Sequence, residues 1–72
     1  MITKIGLVAG EILNLLEDRK IPMSISNIQL HLGEDSEIIF MAIGWLVREQ
    51  HACIIFEGDE KCLALAASKS KA

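Results

Sequence analysis

The chain has 72 residues, of which 51% are hydrophobic, and a formal net charge of −3. A chain of this length forms one domain and buries only about 60% of the surface that its unfolded form exposes. Its apolar content therefore exceeds what one small core hides, which indicates a second copy or another protein as partner. The acidic balance disfavours strong non-specific binding to DNA, because that binding grows with the number of Lys and Arg contacts to phosphate.

The apolar stretches of the sequence are too short to cross a bilayer, which requires about 20 consecutive apolar residues. Near the start, Glu11 interrupts the apolar run that follows Lys4, and this disfavours a signal peptide. We therefore expect a cytoplasmic protein with no membrane association. Without an export signal, the two cysteines are expected to be free thiols.

The first predicted element is a helix over residues 4–20. The residues with the spacing of one helical face are Ile5, Val8, Ala9, Ile12, Leu15, Leu16 and Arg19. Gly6 and Gly10 stand inside this helix, where each glycine costs about 1 kcal/mol relative to alanine. Their spacing opens a groove for a neighbouring backbone. We favour a neighbour within the domain over a contact between two chains. Pro22 ends the helix.

A very short strand and a second helix follow. Met23 and Ile25 alternate with polar residues, and this alternation predicts the strand. Ser26 and Gln29 fit a capping box, so Ser26 is expected to cap the second helix. Gly33 fits the left-handed position just after the end of that helix.

A third helix and a β-hairpin complete the predicted domain. Asp35 or Ser36 is expected to cap the helix, which extends to about Gln50. The segment ACIIFEGDEKCLALA, residues 52–66, then reads as two strands joined by a turn at Gly58–Asp59.

This order of elements predicts an α+β fold, a winged helix-turn-helix domain over residues 1–66. It has three helices, a short strand and a C-terminal β-hairpin as the wing. Residues 67–72, with the sequence SKSKA at their end, are predicted to form a disordered tail.

Two motifs resemble those of a known family. IGLVAGEI, residues 5–12, is similar to an Ile-Gly, Ala-Gly, Ile signature on a first helix. AIGWLVRE, residues 42–49, is similar to an Ala-x-Gly-Trp-Leu-x-Arg-Glu signature on a third helix. The chain thus resembles a small bacterial winged helix-turn-helix family catalogued as a domain of unknown function. The resemblance implies the fold and no defined activity. The chain differs at Gln50, where the family tends to have glycine, and at Leu13, where it often has an aromatic residue.

The third helix is apolar on nearly all sides. An advance of 100° per residue places Ile39, Ala42 and Leu46 on one face, which is expected to meet the core. The opposite face carries Glu37, Phe40, Met41, Gly44 and Arg48. For Trp45 we favour burial in the core over a place in the interface, and both alternatives stay open. The residues predicted to form a protein interface, in a homodimer or with another protein, are Phe40, Met41, Ile43 and Val47.

A DNA-binding transcriptional regulator is the alternative function. Its candidate contact residues are Asn27, Gln29, His31 and Arg48. Residues 24–50 contain one basic residue and four acidic ones, a balance of −3 that disfavours contact with phosphates. The turn of the wing, EGDE, is also acidic. The sequence therefore favours a protein-interaction module over a DNA reader.

Catalysis and metal binding are not expected. The sequence offers no nucleophile with a plausible base and orienting acid. With Ile54 opposite Leu63 in the hairpin, Cys53 and Cys62 share a face but lie diagonally, roughly 7–8 Å apart. This distance is wide for a disulfide, and the spacing is not the Cys-x-x-Cys of structural zinc sites. Both cysteines are predicted to be buried small hydrophobic side chains, and no cofactor is expected.

Overall fold

The structure, a computed structural model, describes residues 2–66. Its elements are α1 (Ile2–Arg19), β1 (Met23–Ser24), α2 (Ile25–Leu32), α3 (Ser36–Arg48), β2 (Ala52–Glu57) and β3 (Glu60–Leu65). The three strands form one antiparallel sheet in the order β1–β3–β2. Three helices followed by a C-terminal antiparallel hairpin confirm the winged helix-turn-helix fold. The predicted tail, residues 67–72, lies outside the described residues.

Every element contributes side chains to a single core. Helix α1 buries most of the stripe that its spacing predicted, with Ile12 and Leu16 almost fully removed from solvent, whereas Arg19 is exposed. Helix α3 adds four buried residues, and the sheet adds Met23, Ala52 and Leu63. Complete burial of one Ile or Leu side chain is worth about 1.5–3 kcal/mol, so this cluster is the main source of stability.

The hairpin has the register that its turn predicted. Ile54 lies opposite Leu63, and Ile55 lies opposite Cys62. Gly58 has a φ of 64°, which a two-residue turn requires and which glycine adopts without steric cost. Strand β3 is central, because it also pairs with Met23 and Ser24 of β1. Strand β2 is therefore an edge strand.

Helix α2 starts earlier than the capping box indicated, so that prediction was wrong. Ser24 is the N-cap, and its side-chain oxygen accepts a hydrogen bond from the backbone N–H of Asn27 at 3.1 Å. Ser26 lies inside the helix. The pairing of Ser24 with Cys62 in the sheet holds Ser24 in the extended conformation that an N-cap needs. Gly33 ends the helix in the left-handed conformation, as predicted.

Helix α3 ends at Arg48, two residues before the predicted end. Gln50 has a φ of 65°, in the left-handed region. The backbone N–H of Gln50 donates to the carbonyl of Val47, and the N–H of His51 donates to the carbonyl of Leu46. This pair of hydrogen bonds is the Schellman motif, whose left-handed position favours glycine. Gln50 in this left-handed position therefore makes the turn between α3 and the wing less stable than glycine would.

We expect Gln50→Gly to increase the free energy of unfolding by about 1 kcal/mol, because glycine removes the steric cost of the left-handed conformation. The control is Glu49→Gly, one residue earlier, where φ is −83°. That substitution should lower the free energy of unfolding by about 0.5–1 kcal/mol. Urea denaturation of the three proteins measures both changes. A destabilised Gln50→Gly variant would contradict this account of the turn.

Candidate protein-interaction surface

The side of α3 that points away from the core is largely apolar. Phe40 is 58% exposed, and Met41 and Trp45 are each 47% exposed. The opposite side packs into the core through Ile39 and Leu46, as the helical angles predicted. We refer to the solvent side as the α3 outer face, which consists of Glu37, Phe40, Met41, Gly44, Trp45 and Arg48.

Two predictions for α3 were wrong. Ile43, predicted to lie at an interface, is only 3% exposed and belongs to the core. Trp45, favoured for the core, is on the surface. Ile43 is about 60° from the centre of the buried stripe, whereas Trp45 is about 100° away on the other side. The helical angle favours Ile43 over Trp45 for the core. Val47 is also about 100° from the centre and is half-buried, so burial also depends on the width of the core.

The remaining predicted interface residues differ in exposure. Phe40 and Met41 are exposed, whereas Val47 is half-buried and packs against the core. The ring of Trp45 lies beside the ring of His51, with 5.9 Å between the centroids and 34° between the planes. This contact holds the indole over the turn that leads from α3 into the wing. It is a feature that sequence spacing did not indicate.

Phe40 also adjoins the tip of the wing. A shallow cavity of ≈ 270 Å³ lies between Phe40, the residues at the start of α2, and the hairpin turn. Its remaining lining residues are Ser24, Ile25, Ser26, Asp59, Glu60 and Lys61. The wing itself exposes Ile54 and Phe56, which lie on one face of β2. Exposed apolar surface therefore occurs on the wing as well as on α3.

Gly6 and Gly10 of α1 do not allow a close approach of another element within the described part of the domain. Gly6 and Gly10 are exposed, and a Cβ atom added at either one would meet no other side chain or distant backbone within 4 Å. The favoured interpretation of their spacing, a close neighbour within the domain, was therefore wrong. The face of α1 opposite these glycines already supplies the buried stripe.

The candidate DNA-contacting residues lie on two helices. Asn27 and His31 are exposed on α2, and Arg48 is exposed in the last turn of α3. Gln29 is half-buried, and its side-chain amide donates a hydrogen bond to the backbone carbonyl of Glu34 at 3.4 Å. Gln29 is thus engaged in the turn between α2 and α3 and is the least available of the four residues.

An ion pair strengthens the same turn. The Lys4 Nζ atom lies 3.0 Å from the Glu34 Oε2 atom, which links α1 to the α2–α3 connection. The Lys4 side chain is half exposed, so the pair contributes at most about 1 kcal/mol. One of the few basic residues of the helical part is thereby paired with an acidic residue on its own surface.

The two cysteines have different environments, although both are free thiols as predicted. Cys62 is buried on the central strand, whereas Cys53 is exposed on the edge strand. The prediction that both are buried was therefore wrong for Cys53, because an edge strand is covered on one side only. Burial raises the pKa of the Cys62 thiol, and the negative charges of Glu57 and Glu60 raise it further.

We expect a thiol reagent to label Cys53 rapidly and Cys62 at least about tenfold more slowly, because the reactive thiolate is both less accessible and less populated at Cys62. Labelling at pH 8 followed by mass spectrometry of peptides measures the two rates. In urea the two rates should converge. Equal rates in the native protein would contradict the burial of Cys62.

Within residues 2–66, no three side chains of the His, Cys, Asp and Glu types lie together in a way that could hold a metal ion. In the same range, no helix has the length and apolar character that crossing a bilayer requires.

Three helices, a capped helix-turn-helix and a C-terminal hairpin define a winged helix-turn-helix domain. The chain belongs to the winged helix-turn-helix domain family DUF2582, which matches residues 1–66. It is 43% identical over 59 residues to the uncharacterized protein MJ1608 of Methanocaldococcus jannaschii, covering 81% of this chain and 83% of that protein. No solved structure matches the chain. Since this relative is archaeal, it does not support the expected bacterial origin. Neither description states an activity.

Proposed function

We propose that this domain is a non-enzymatic protein-interaction module that forms a homodimer through the α3 outer face. The observation that carries the proposal is the exposure of Phe40, Met41 and Trp45 on the solvent side of one helix. Large contiguous apolar patches are uncommon on monomeric proteins and usually mark interaction sites. Aromatic residues and methionine are also the types enriched at the centres of protein interfaces.

The composition of the α3 outer face supports a protein partner. Its centre is apolar, and its charged residues, Glu37 and Arg48, stand at the two ends of the helix. An apolar centre with a polar rim is the usual arrangement of a protein–protein interface. Burial of this surface is worth about 25 cal/mol per Å² of apolar area removed from water. The exposed Ile54 and Phe56 of the wing offer a second apolar surface.

A DNA-binding regulator is the second candidate function. The fold supports it by analogy, and the exposed Asn27, His31 and Arg48 are types that contact bases or phosphates. The charge balance weighs against it, because Glu34, Asp35, Glu37 and Glu49 outnumber the one basic residue between positions 24 and 50. The turn of the wing, which would contact DNA, carries acidic residues at Asp59 and Glu60.

We expect sedimentation equilibrium of the wild-type protein to show a dimer, and Phe40→Glu to be a folded monomer. A carboxylate in the apolar part of the interface should weaken the dimer at least about tenfold, because its desolvation is not compensated. Circular dichroism of the variant tests whether it is folded.

The matched control for this substitution is Leu30→Glu. Leu30 is 81% exposed and belongs to α2, so it is not one of the residues of the α3 outer face. This variant should remain a dimer with unchanged affinity. A wild-type monomer at every concentration, or equal dimerisation of Phe40→Glu and the wild type, would refute the proposed function. Loss of the fold in Phe40→Glu would place Phe40 in the core and contradict the proposal as well.

We expect no saturable binding to a random DNA duplex at about 50 mM salt, because the acidic surface offers few contacts to phosphate. Fluorescence anisotropy of a labelled duplex over a salt series measures this. Binding that weakens steeply with salt, and that Arg48→Ala reduces, would instead favour the DNA-binding regulator.

A further inference from the structure

The α3 outer face has opposite charges at its two ends. Glu37 stands in the first turn and Arg48 in the last turn. At 100° and 1.5 Å per residue, they are about 20° apart around the helix and about 16 Å apart along it. Both are exposed, and neither forms an ion pair within residues 4–66. The apolar side chains of the face therefore lie between an unpaired negative charge and an unpaired positive charge.

We propose that two copies of this chain pack with their α3 helices antiparallel about a two-fold axis, so that Glu37 of each copy lies beside Arg48 of the other. The inference rests on the proposed self-association and specifies its geometry. An antiparallel pair makes two attractive contacts between unlike charges. A parallel two-fold pair would place Glu37 beside Glu37 and Arg48 beside Arg48, and both contacts would be repulsive.

Gly44 supports close packing of the two helices. It lies on the α3 outer face between the charged ends, and a Cβ atom added there would meet no other side chain or distant backbone within 4 Å. Packing within the described residues therefore does not require glycine at this position, although glycine is the poorest helix former after proline. A glycine at the contact lets the backbone of the second helix approach.

The flanks of the face fit the same two-fold arrangement. By helical angle, Phe40 lies on one side of Gly44, and Met41 and Trp45 lie on the other. In an antiparallel two-fold pair, each flank meets the same flank of the second copy. Met41 of one copy then lies near Trp45 of the other, and sulfur–aromatic contacts of this kind are favourable. The two apolar flanks enclose the glycine on both sides.

A simpler cause for the two charges is the helix dipole. An acidic residue in the first turn and a basic residue in the last turn each stabilise an isolated helix. The experiment must therefore separate an effect inside one helix from an effect between two copies. Charge reversal at both ends does so, because it opposes the dipole at each end while restoring unlike charges across an antiparallel pair.

The experiment is sedimentation equilibrium of Glu37→Arg, Arg48→Glu and the double variant at low salt. Each single variant should raise the dimer Kd at least about fivefold, because symmetry creates two like-charge contacts. The double variant should return to within about twofold of the wild type. The differences should shrink at about 1 M salt. Single variants without effect, or a double variant weaker than either single one, would overturn the antiparallel arrangement.

A second pair of variants tests close approach at Gly44. Gly44→Gln should increase the thermal stability of the single chain, measured at protein concentrations below the dimer Kd, since glutamine is the better helix former. It should also raise the dimer Kd at least about tenfold, because the side chain holds the two helices apart. The control is Gly10→Gln on α1, where an added Cβ likewise meets nothing within 4 Å. This variant should dimerise like the wild type. Unchanged dimerisation of Gly44→Gln would overturn the inference.

The two proposals fail in different ways. A wild-type monomer, or a Phe40→Glu variant that still dimerises, removes the proposed function and the antiparallel arrangement together. A wild-type dimer that Phe40→Glu disrupts, without rescue in the double charge reversal, keeps the proposed function and removes only the antiparallel arrangement.

Discussion

The structure depends on the pairing of two residues, Met23 and Ser24, with the central strand β3. This pairing fixes Ser24 in an extended conformation, and Ser24 in turn caps α2. The start of α2 is thus attached directly to the wing. The short turn after Gly33 then sets the direction of α3. A sheet contact of two residues therefore orients both helices of the helix-turn-helix relative to the hairpin.

The size of the core explains the unusual surface of α3. Ile39, Ala42, Ile43 and Leu46 fill the space that α1 and the sheet leave open. A domain of this size has no second core to receive the apolar side chains on the other side of the same helix. Phe40, Met41 and Trp45 consequently remain in solvent in the single chain. Because α3 is apolar on nearly all sides, it packs well in the core and also leaves apolar side chains exposed that a partner could bury.

Local patterns determined most of what the sequence could predict. The spacing of α1 predicted its buried stripe, Gly33 predicted the end of α2, and Gly58–Asp59 predicted the register of the hairpin. The errors involve contacts between distant segments. Ser24 replaces Ser26 as the cap because β3 pairs with it, and Cys53 is exposed because nothing pairs with the outer edge of β2 within the described residues.

The candidate site was predictable in outline only. The helical angle identified Phe40 and Met41 as outward-facing residues, whereas the assignments of Ile43 and Trp45 depended on how wide the core is. Helical periodicity predicts the direction in which a side chain points, but it does not predict how far the core extends in that direction. Which molecule binds this surface depends on both partners. The sequence of one chain limits the choice only through the charge and shape of its own surface.

The pairing of Met23 with Leu63 also has a consequence for the order of folding. It closes a loop that contains α2, α3 and β2, whereas the helices and the hairpin form from neighbouring residues. Loop closure loses chain entropy before the contact is made. We therefore expect β1 to dock late, after the hairpin exists as its template, which φ-value analysis of Met23 would show as a value near zero. The helix-turn-helix would acquire its final orientation in the last stage of folding.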